Sequence, residues 1–378
     1  MTPRLLLWHW NRKGGGPRYT WELARALKAR DDVEVAVSYS RQSDYAEAMR
    51  ALELPSFEVD TYESARGYAA GFLRLPLLRR RFAAFLRAQQ TDLVVSTMSH
   101  LWSPFVAPAL KRAGVPYCLV AHDAEPHPGE SSRLRRWTLA RDLAQADALI
   151  ALTHHVAGQL QRLYPDMPPE RTAVIPHGSF SFGDAPHAPR ALPQNRAVEL
   201  LFFGRLLEYK GLDILAEAYK LLRRRYGTRV RLTVAGRGDE AVYGPMLRNL
   251  PGLHWESRWI GEDEIAGMLA EADILLLPYR EASQSGALAA AEYAALPAVA
   301  TPVGGLAEEI ADYGSGTVAE AVTGPAFAQA VMALLESPAR YARASAAAAE
   351  TAAGPKSWDT LAGLYVGFAQ QLLEGAPE

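Results

Sequence analysis

Cysteine is almost missing: Cys118 stands alone in 378 residues. No disulfide can close within the chain, and its apolar neighbours mark Cys118 as an inert core thiol suited to a reducing cytosol. Long apolar runs are missing too, since no stretch reaches the roughly 18 uninterrupted apolar residues of a membrane-spanning helix. Neither sign of charge is in excess. The formal net charge is −2, which removes a global electrostatic case for nucleic-acid binding. The first ten residues read as a short strand followed by Arg12 and Lys13, without a signal-peptide pattern. A cytoplasmic protein is expected, either soluble or peripheral at the inner face of the cell membrane.

What is present is a globular composition, 49% apolar and 22% charged, long enough for two domains of about 150 residues or more. Short β-rich runs alternate with amphipathic helical patterns, the signature of parallel sheets flanked by helices. Strands are expected at 4–9, 33–38, 57–60, 93–97, 117–122, 148–152 and 173–176. A second set follows at 198–203, 229–235, 253–255, 274–278 and 298–301. Helices fill most of the intervals. Residues 183–195, rich in Pro and polar side chains without an apolar period, read as a linker. The expected organisation is an N-terminal Rossmann-like domain over 1–182, a C-terminal one over 196–355, and a helix in 356–378 crossing back to the first. Two doubly wound domains facing each other leave a cleft lined by strand carboxyl ends, where ligands of α/β proteins sit.

The stretch 202–211, FFGRLLEYKG, places Arg205 and Lys210 between a buried strand and a helix start. Two cations beside free helix N–H groups suit a diphosphate, although such loops also carry ordinary solvated cations. Farther on, Gln284-Ser285-Gly286 opens a small-residue helix in which Glu292 lies about two turns inside. One reading gives a phosphate oxygen to the helix start and a ribose to Glu292. The plain reading is an Ala-rich packed helix capped by Ser283 or Ser285. Thr301-Pro302-Val303-Gly304-Gly305 then opens another helix, with Glu308 in its first turn. Near the N-terminus Gly14, Gly15 and Gly16 permit close backbone approach to a ligand, but they form neither a G-x-G-x-x-G fingerprint nor a Walker loop. His122, Asp123, His127 and Glu130 cluster after a strand, at a spacing that matches no zinc pattern. Arg66 to Arg87, interleaved with Phe and Leu, is either a weak peripheral membrane contact or, as its apolar spacing favours, a core-packed helix with a basic outer face.

Taken in order, these pieces resemble glycosyltransferase family 4, retaining nucleotide-sugar enzymes of the GT-B fold. Gly204-Arg205 to Lys210-Gly211 is similar to the family's G-R-x-x-x-x-K-G motif, and Ala272-Asp273 to Pro278 resembles its A-D-x-x-x-x-P strand. Gln284 to Glu292 falls on its E-x7-E element, Gly304-Gly305-Leu306-Ala307-Glu308 on its G-G-x-x-E, and Pro176-His177-Gly178 on its I-P-x-G turn. Gln284 stands where the family's first glutamate is expected, as in a bacterial branch with a Ser-Gly helix start, and so brings hydrogen bonds without charge.

The resemblance implies an α/β GT-B fold and transfer of a sugar from a nucleoside-diphosphate sugar. The acceptor would be a hydroxyl of a glycan, glycolipid or secondary metabolite, as in bacterial polysaccharide biosynthesis. It implies no cofactor and no metal. His122, Arg205 and Lys210 become catalytic candidates. Gly15, Gly16, Gln284, Ser285, Gly286, Glu292 and Trp259 fall on the donor, and Asp123, His127 and Glu130 on the acceptor side. A sugar-nucleotide epimerase of the same fold and a non-catalytic nucleotide-sugar-binding protein are the alternatives. A dinucleotide oxidoreductase is disfavoured by the missing fingerprint.

Overall fold

The computed structural model describes residues 2–127, 132–182 and 188–375. The chain divides into two compact units. One comprises Met1–Pro126, Ser131–Pro176 and Trp358–Glu378, the other His127–Glu130 and His177–Ser357.

In the N-terminal unit the order is β1 (Arg4–His9), α1 (Gly15–Lys28), β2 (Glu34–Ser40), α2 (Ala46–Ala51), β3 (Ser56–Val59), α3 (Ala65–Gly71) and α4 (Leu75–Ala88). It continues through β4 (Leu93–Ser96), α5 (Ser103–Arg112), β5 (Tyr117–Ala121), α6 (Arg133–Leu143), β6 (Ala148–Ala151), α7 (His154–Leu163) and β7 (Thr172–Val174). The strands form one parallel sheet, ordered β3-β2-β1-β4-β5-β6-β7. Covered on both faces, its central strands are mostly apolar; Leu6, Leu7 and Trp8 in β1 are at most 1% exposed. Trp8 packs edge-on against Trp10 at 5.0 Å, and both rings meet Phe82 of α4. Leu75, Phe82 and Leu86 of the basic stretch are in this core, while Leu73 and Leu77 stay exposed. Packing therefore explains most of that apolar pattern. Among the described residues no helix is long and apolar enough to cross a membrane.

The C-terminal unit runs β8 (Val198–Phe203), α8 (Leu212–Tyr226), β9 (Val230–Ala235), α9 (Glu240–Leu247), β10 (Leu253–Glu256), α10 (Glu262–Glu271), β11 (Ile274–Leu277) and α11 (Gly286–Tyr293). It closes with β12 (Ala298–Ala300), α12 (Gly304–Tyr313), β13 (Gly316–Val318), α13 (Gly324–Leu335) and α14 (Pro338–Ala353). Its parallel sheet has the order β10-β9-β8-β11-β12-β13. In each sheet the order reverses beside the first strand, between β1 and β4 and between β8 and β11, and such a switch point opens a crevice at the strand carboxyl ends. The elements α2, α3, β13, α13 and α14 go beyond the sequence-level expectation. β13 is only three residues long, and α14 is an Ala-rich run.

The last helix, α15 (Trp358–Glu374), belongs to the N-terminal unit. It packs on α1, where Tyr19 meets Trp358 edge-on at 5.0 Å and shares a 2.7 Å hydroxyl–hydroxyl bond with Tyr365.

Candidate functional site

In the C-terminal unit the β8–α8 loop is held in place by glycines. Gly204 and Gly211 have φ of 134° and 66°, and a Cβ on Gly211 would lie 1.9 Å from the Pro278 carbonyl oxygen. The Arg280 backbone N–H donates to the Tyr209 carbonyl at 2.7 Å, tying the loop to the end of β11. Lys210, half-buried, sits with Nζ 3.6 Å from the Tyr279 ring centroid and 4.8 Å from that of Tyr209. Cation–π attraction orients the ammonium without spending its hydrogen-bond donors. Arg205 is exposed on the same loop. The predicted diphosphate pair is thus placed at the switch point between β8 and β11.

Ser285 caps α11, its hydroxyl accepting from the Leu288 N–H at 3.3 Å. Beside it, Gln284 Oε1 is buried without a hydrogen-bond partner. A buried acceptor left unmade costs about 1–3 kcal/mol. Gly286 is half-buried and packs near Phe180, whose ring would lie 3.4 Å from an added Cβ. Trp259 is 53% exposed.

Two sequence assignments change. Glu292, expected at the ribose, is engaged inside the fold. It is 0% exposed, and Lys356 Nζ donates to both its carboxylate oxygens at 3.1 and 2.9 Å, with Ser315 adding a bond at 3.2 Å. Lys356 also pairs with Glu309 at 2.8 Å, which makes Glu292 one arm of a buried ionic triad. Burial foremost raises the Glu309 carboxyl to about 7; Lys356 opposes the shift and Glu292 adds to it. Charge pairing keeps the Lys356 amine protonated despite its burial. His127, expected on the acceptor side, lies with the C-terminal unit. It stacks on Tyr209 at 4.6 Å, with Nδ1 3.2 Å from Glu281 Oε1, and so borders the cationic loop. Glu130 falls outside the described residues.

In the N-terminal unit His122 follows β5 and is 8% exposed. Its Nε2 lies 2.9 Å from the Thr97 carbonyl oxygen; that acceptor requires the proton on Nε2. Burial lowers its basicity, with the Thr97 bond and Asp123 acting the other way, so the ring is neutral near pH 7. The Thr97 carbonyl orients the ring. Gly15 and Gly16 open α1 after Gly14, whose φ is 88°, with no side-chain cap. A depression of about 340 Å³ beyond β1 and β3 is walled by Trp10, Tyr62 and His100. Arg12 and Glu63 pair across its edge at 3.1 Å. Thr97, His100, Tyr209, Tyr279 and Lys356 carry no motif. The one available signal was position, since most of them follow a buried strand. Among the described residues no three His, Cys, Asp or Glu side chains converge as a metal-holding group.

Residues 13–179 match the family model described as Glycosyltransferase Family 4, and residues 197–337 match Glycosyl transferases group 1. The D-inositol 3-phosphate glycosyltransferase of Geodermatophilus obscurus is 33% identical over 201 residues, 47% of this chain and 43% of that one. The chain spans about half the length of the curated relatives it matches. Sucrose-phosphate synthase from Thermosynechococcus elongatus aligns over 99% of this chain and 100% of its own, with TM-score 0.74 and 17% identity. HepE from Anabaena, solved with UDP-glucose, aligns over 98% and 99% with TM-score 0.69 and 17% identity. These likenesses show the fold, which is GT-B.

Proposed function

Because the chain belongs to glycosyltransferase family 4, we propose that it moves a sugar from a nucleoside-diphosphate sugar to an acceptor hydroxyl, with retained anomeric configuration and without a metal. The observation that carries the reading is the cationic loop at the β8–β11 switch point, where Lys210 Nζ is held 3.6 Å from the Tyr279 ring. In the reaction the bond from the anomeric carbon to the diphosphate breaks while a bond to the acceptor oxygen forms on the same face. The leaving phosphate oxygen takes the acceptor proton. Arg205 and Lys210 stabilise the charge growing on that diphosphate, the term that usually dominates such catalysis. Gln284 Oε1 accepts from a donor-sugar hydroxyl. His122, neutral and fixed by Thr97, lines the reacting sugar through its other nitrogen.

UDP-glucose, held by HepE, is the first donor to try. D-inositol 3-phosphate, named for several relatives, is the first acceptor, and the aromatic-walled depression near Arg12 is its proposed place. Arg205→Ala and Lys210→Ala should each lower transfer by about 100-fold or more with unchanged thermal midpoints. Near-normal turnover in both would overturn the diphosphate role. Proton NMR of fresh product reads the anomer, and inversion would refute retention.

A further inference from the structure

Packing accounts for Leu75, Phe82 and Leu86 of the basic stretch and leaves its outer face unexplained. Residues 64–91 hold six arginines and neither Asp nor Glu; residues 132–141, most of α6, hold four arginines and again no acid, in a chain of net charge −2. Among the described residues none of these arginines pairs with a carboxylate. The two segments share one surface. α4 packs on α5 and α5 on α6, and the Phe105 ring of α5 lies 4.9 Å from that of Phe72 and 5.8 Å from that of Trp137. Large apolar side chains protrude from it: Leu73 is 87% exposed, Leu77 60%, Trp137 49% and Leu134 42%. They are four of the eight large apolar side chains exposed among the described residues, a cluster rather than the scattered singles normal on a soluble surface. Helical spacing sets Leu77 beside Arg80 and Arg81 on α4, opposite the buried Phe82 and Leu86.

Such a surface discriminates among partners. Guanidinium forks match phosphate oxygens, which serves a nucleic acid and an anionic lipid alike. The leucines decide between them. An aliphatic side chain standing out from the arginines gains nothing beside a hydrated phosphate backbone and is taken out of water by an acyl layer. Tryptophan suits the headgroup level, where its apolar ring and polar N–H are both accommodated. We propose that α3, α4 and α6 form a docking surface for a bilayer containing anionic phospholipid. Leu73, Leu77 and Trp137 enter the boundary between headgroups and acyl chains, and the surrounding arginines hold lipid phosphates. Because the net charge of the chain is negative, attraction to an anionic bilayer comes from this surface and not from the molecule as a whole. The docking goes beyond the transferase reading and does not depend on it.

The test is sedimentation of the full chain with vesicles of phosphatidylcholine, with and without phosphatidylglycerol. The chain should bind the mixed vesicles, less tightly as salt rises, and stay in solution beside the neutral ones. Reversing Arg80, Arg81 and Arg136 together to Glu should weaken binding about 100-fold. Reversing Arg229, Arg340 and Arg343 of the other unit changes the net charge equally and should leave binding nearly intact. Leu73→Ser with Leu77→Ser should weaken it about 10-fold or more. All of these side chains are exposed, so each variant should keep the parent's thermal midpoint. Bromine-labelled acyl chains should quench the parent's tryptophan emission, and Trp137→Phe should still bind but lose the quenching. No binding to mixed vesicles, equal losses from the two charge reversals, or quenching that survives Trp137→Phe would each overturn the proposal. Duplex DNA or RNA bound as tightly as the vesicles, with no effect of the serine pair, would assign the surface to a nucleic acid and overturn it too.

Discussion

Two lysines on loops of one unit have opposite roles because of what surrounds them. Lys210 lies against two aromatic faces and makes no hydrogen bond through Nζ among the described residues. Lys356 is 1% exposed and spends its charge on Glu292 and Glu309. Lys356→Met would leave two carboxylates facing each other without a cation, and losing one member of a buried ionic set costs about 3–5 kcal/mol. Urea unfolding should show that loss, and an unchanged midpoint would refute the triad. Glu292→Gln tests the triad from the other side: stability should fall, while UDP-glucose affinity in the surviving folded protein stays the same by calorimetry, and a weakened affinity would return Glu292 to the ribose. At Gly211 the constraint is steric as well as conformational. Gly211→Ala sets a methyl against the Pro278 carbonyl at positive φ, so it should cost more than about 1 kcal/mol and disturb Lys210 with it.

At the scale of elements, short helices at the β-strand carboxyl ends depend on their caps. α11 has eight residues and is capped by Ser285, which also stood as a donor-binding candidate. Because that hydroxyl is already engaged with the Leu288 N–H, Ser285→Ala should lower stability by about 1 kcal/mol and leave donor affinity nearly unchanged. A drop in affinity well beyond the drop in stability would return Ser285 to the ligand. The β8–α8 loop was legible in the sequence, since glycine, two cations and an apolar strand stand within ten residues. Glu292 was misread because helical spacing sets how deep a residue lies, whereas its partner is 64 residues away at Lys356. Thr97 went unread for a similar reason: its hydroxyl and its carbonyl serve different histidines from different strands.

For the whole molecule, buried titratable groups shape the pH profile of stability. Burial depresses His9 and His100 to about 3, each with a neighbouring positive or titratable group adding to it. Both are neutral in the fold and would bind protons in the unfolded chain below its usual value of about 6.5, so they withdraw stability as the pH falls from there. Burial raises Glu309 and Asp142 to about 7. Their contribution is fully present below the ordinary carboxylate range and is lost as the pH rises through 7. Below 6.5 the two sets oppose each other, and above it the carboxylates act alone. Unfolding free energy should therefore fall from pH 6.5 to 8. With two groups titrating over the remaining half unit, the fall is about 1–2 kcal/mol. Glu309→Gln with Asp142→Asn should flatten that limb, and a profile rising through pH 7 would refute it.

The sequence by itself determined the two doubly wound units and the cationic loop, because strand periodicity, glycine conformation and local charge are properties of neighbours along the chain. It also carried the family, through short motifs in a constant order. Tertiary structure alone decided which charged and polar side chains find partners inside the fold. Glu292 turned inward to Lys356, His127 stacked on Tyr209, and His9 kept an unmatched ring nitrogen, each through contacts between residues far apart in the chain. Burying a polar group is favourable only when a partner meets it, and which partners arrive is settled when the sheets and helices pack.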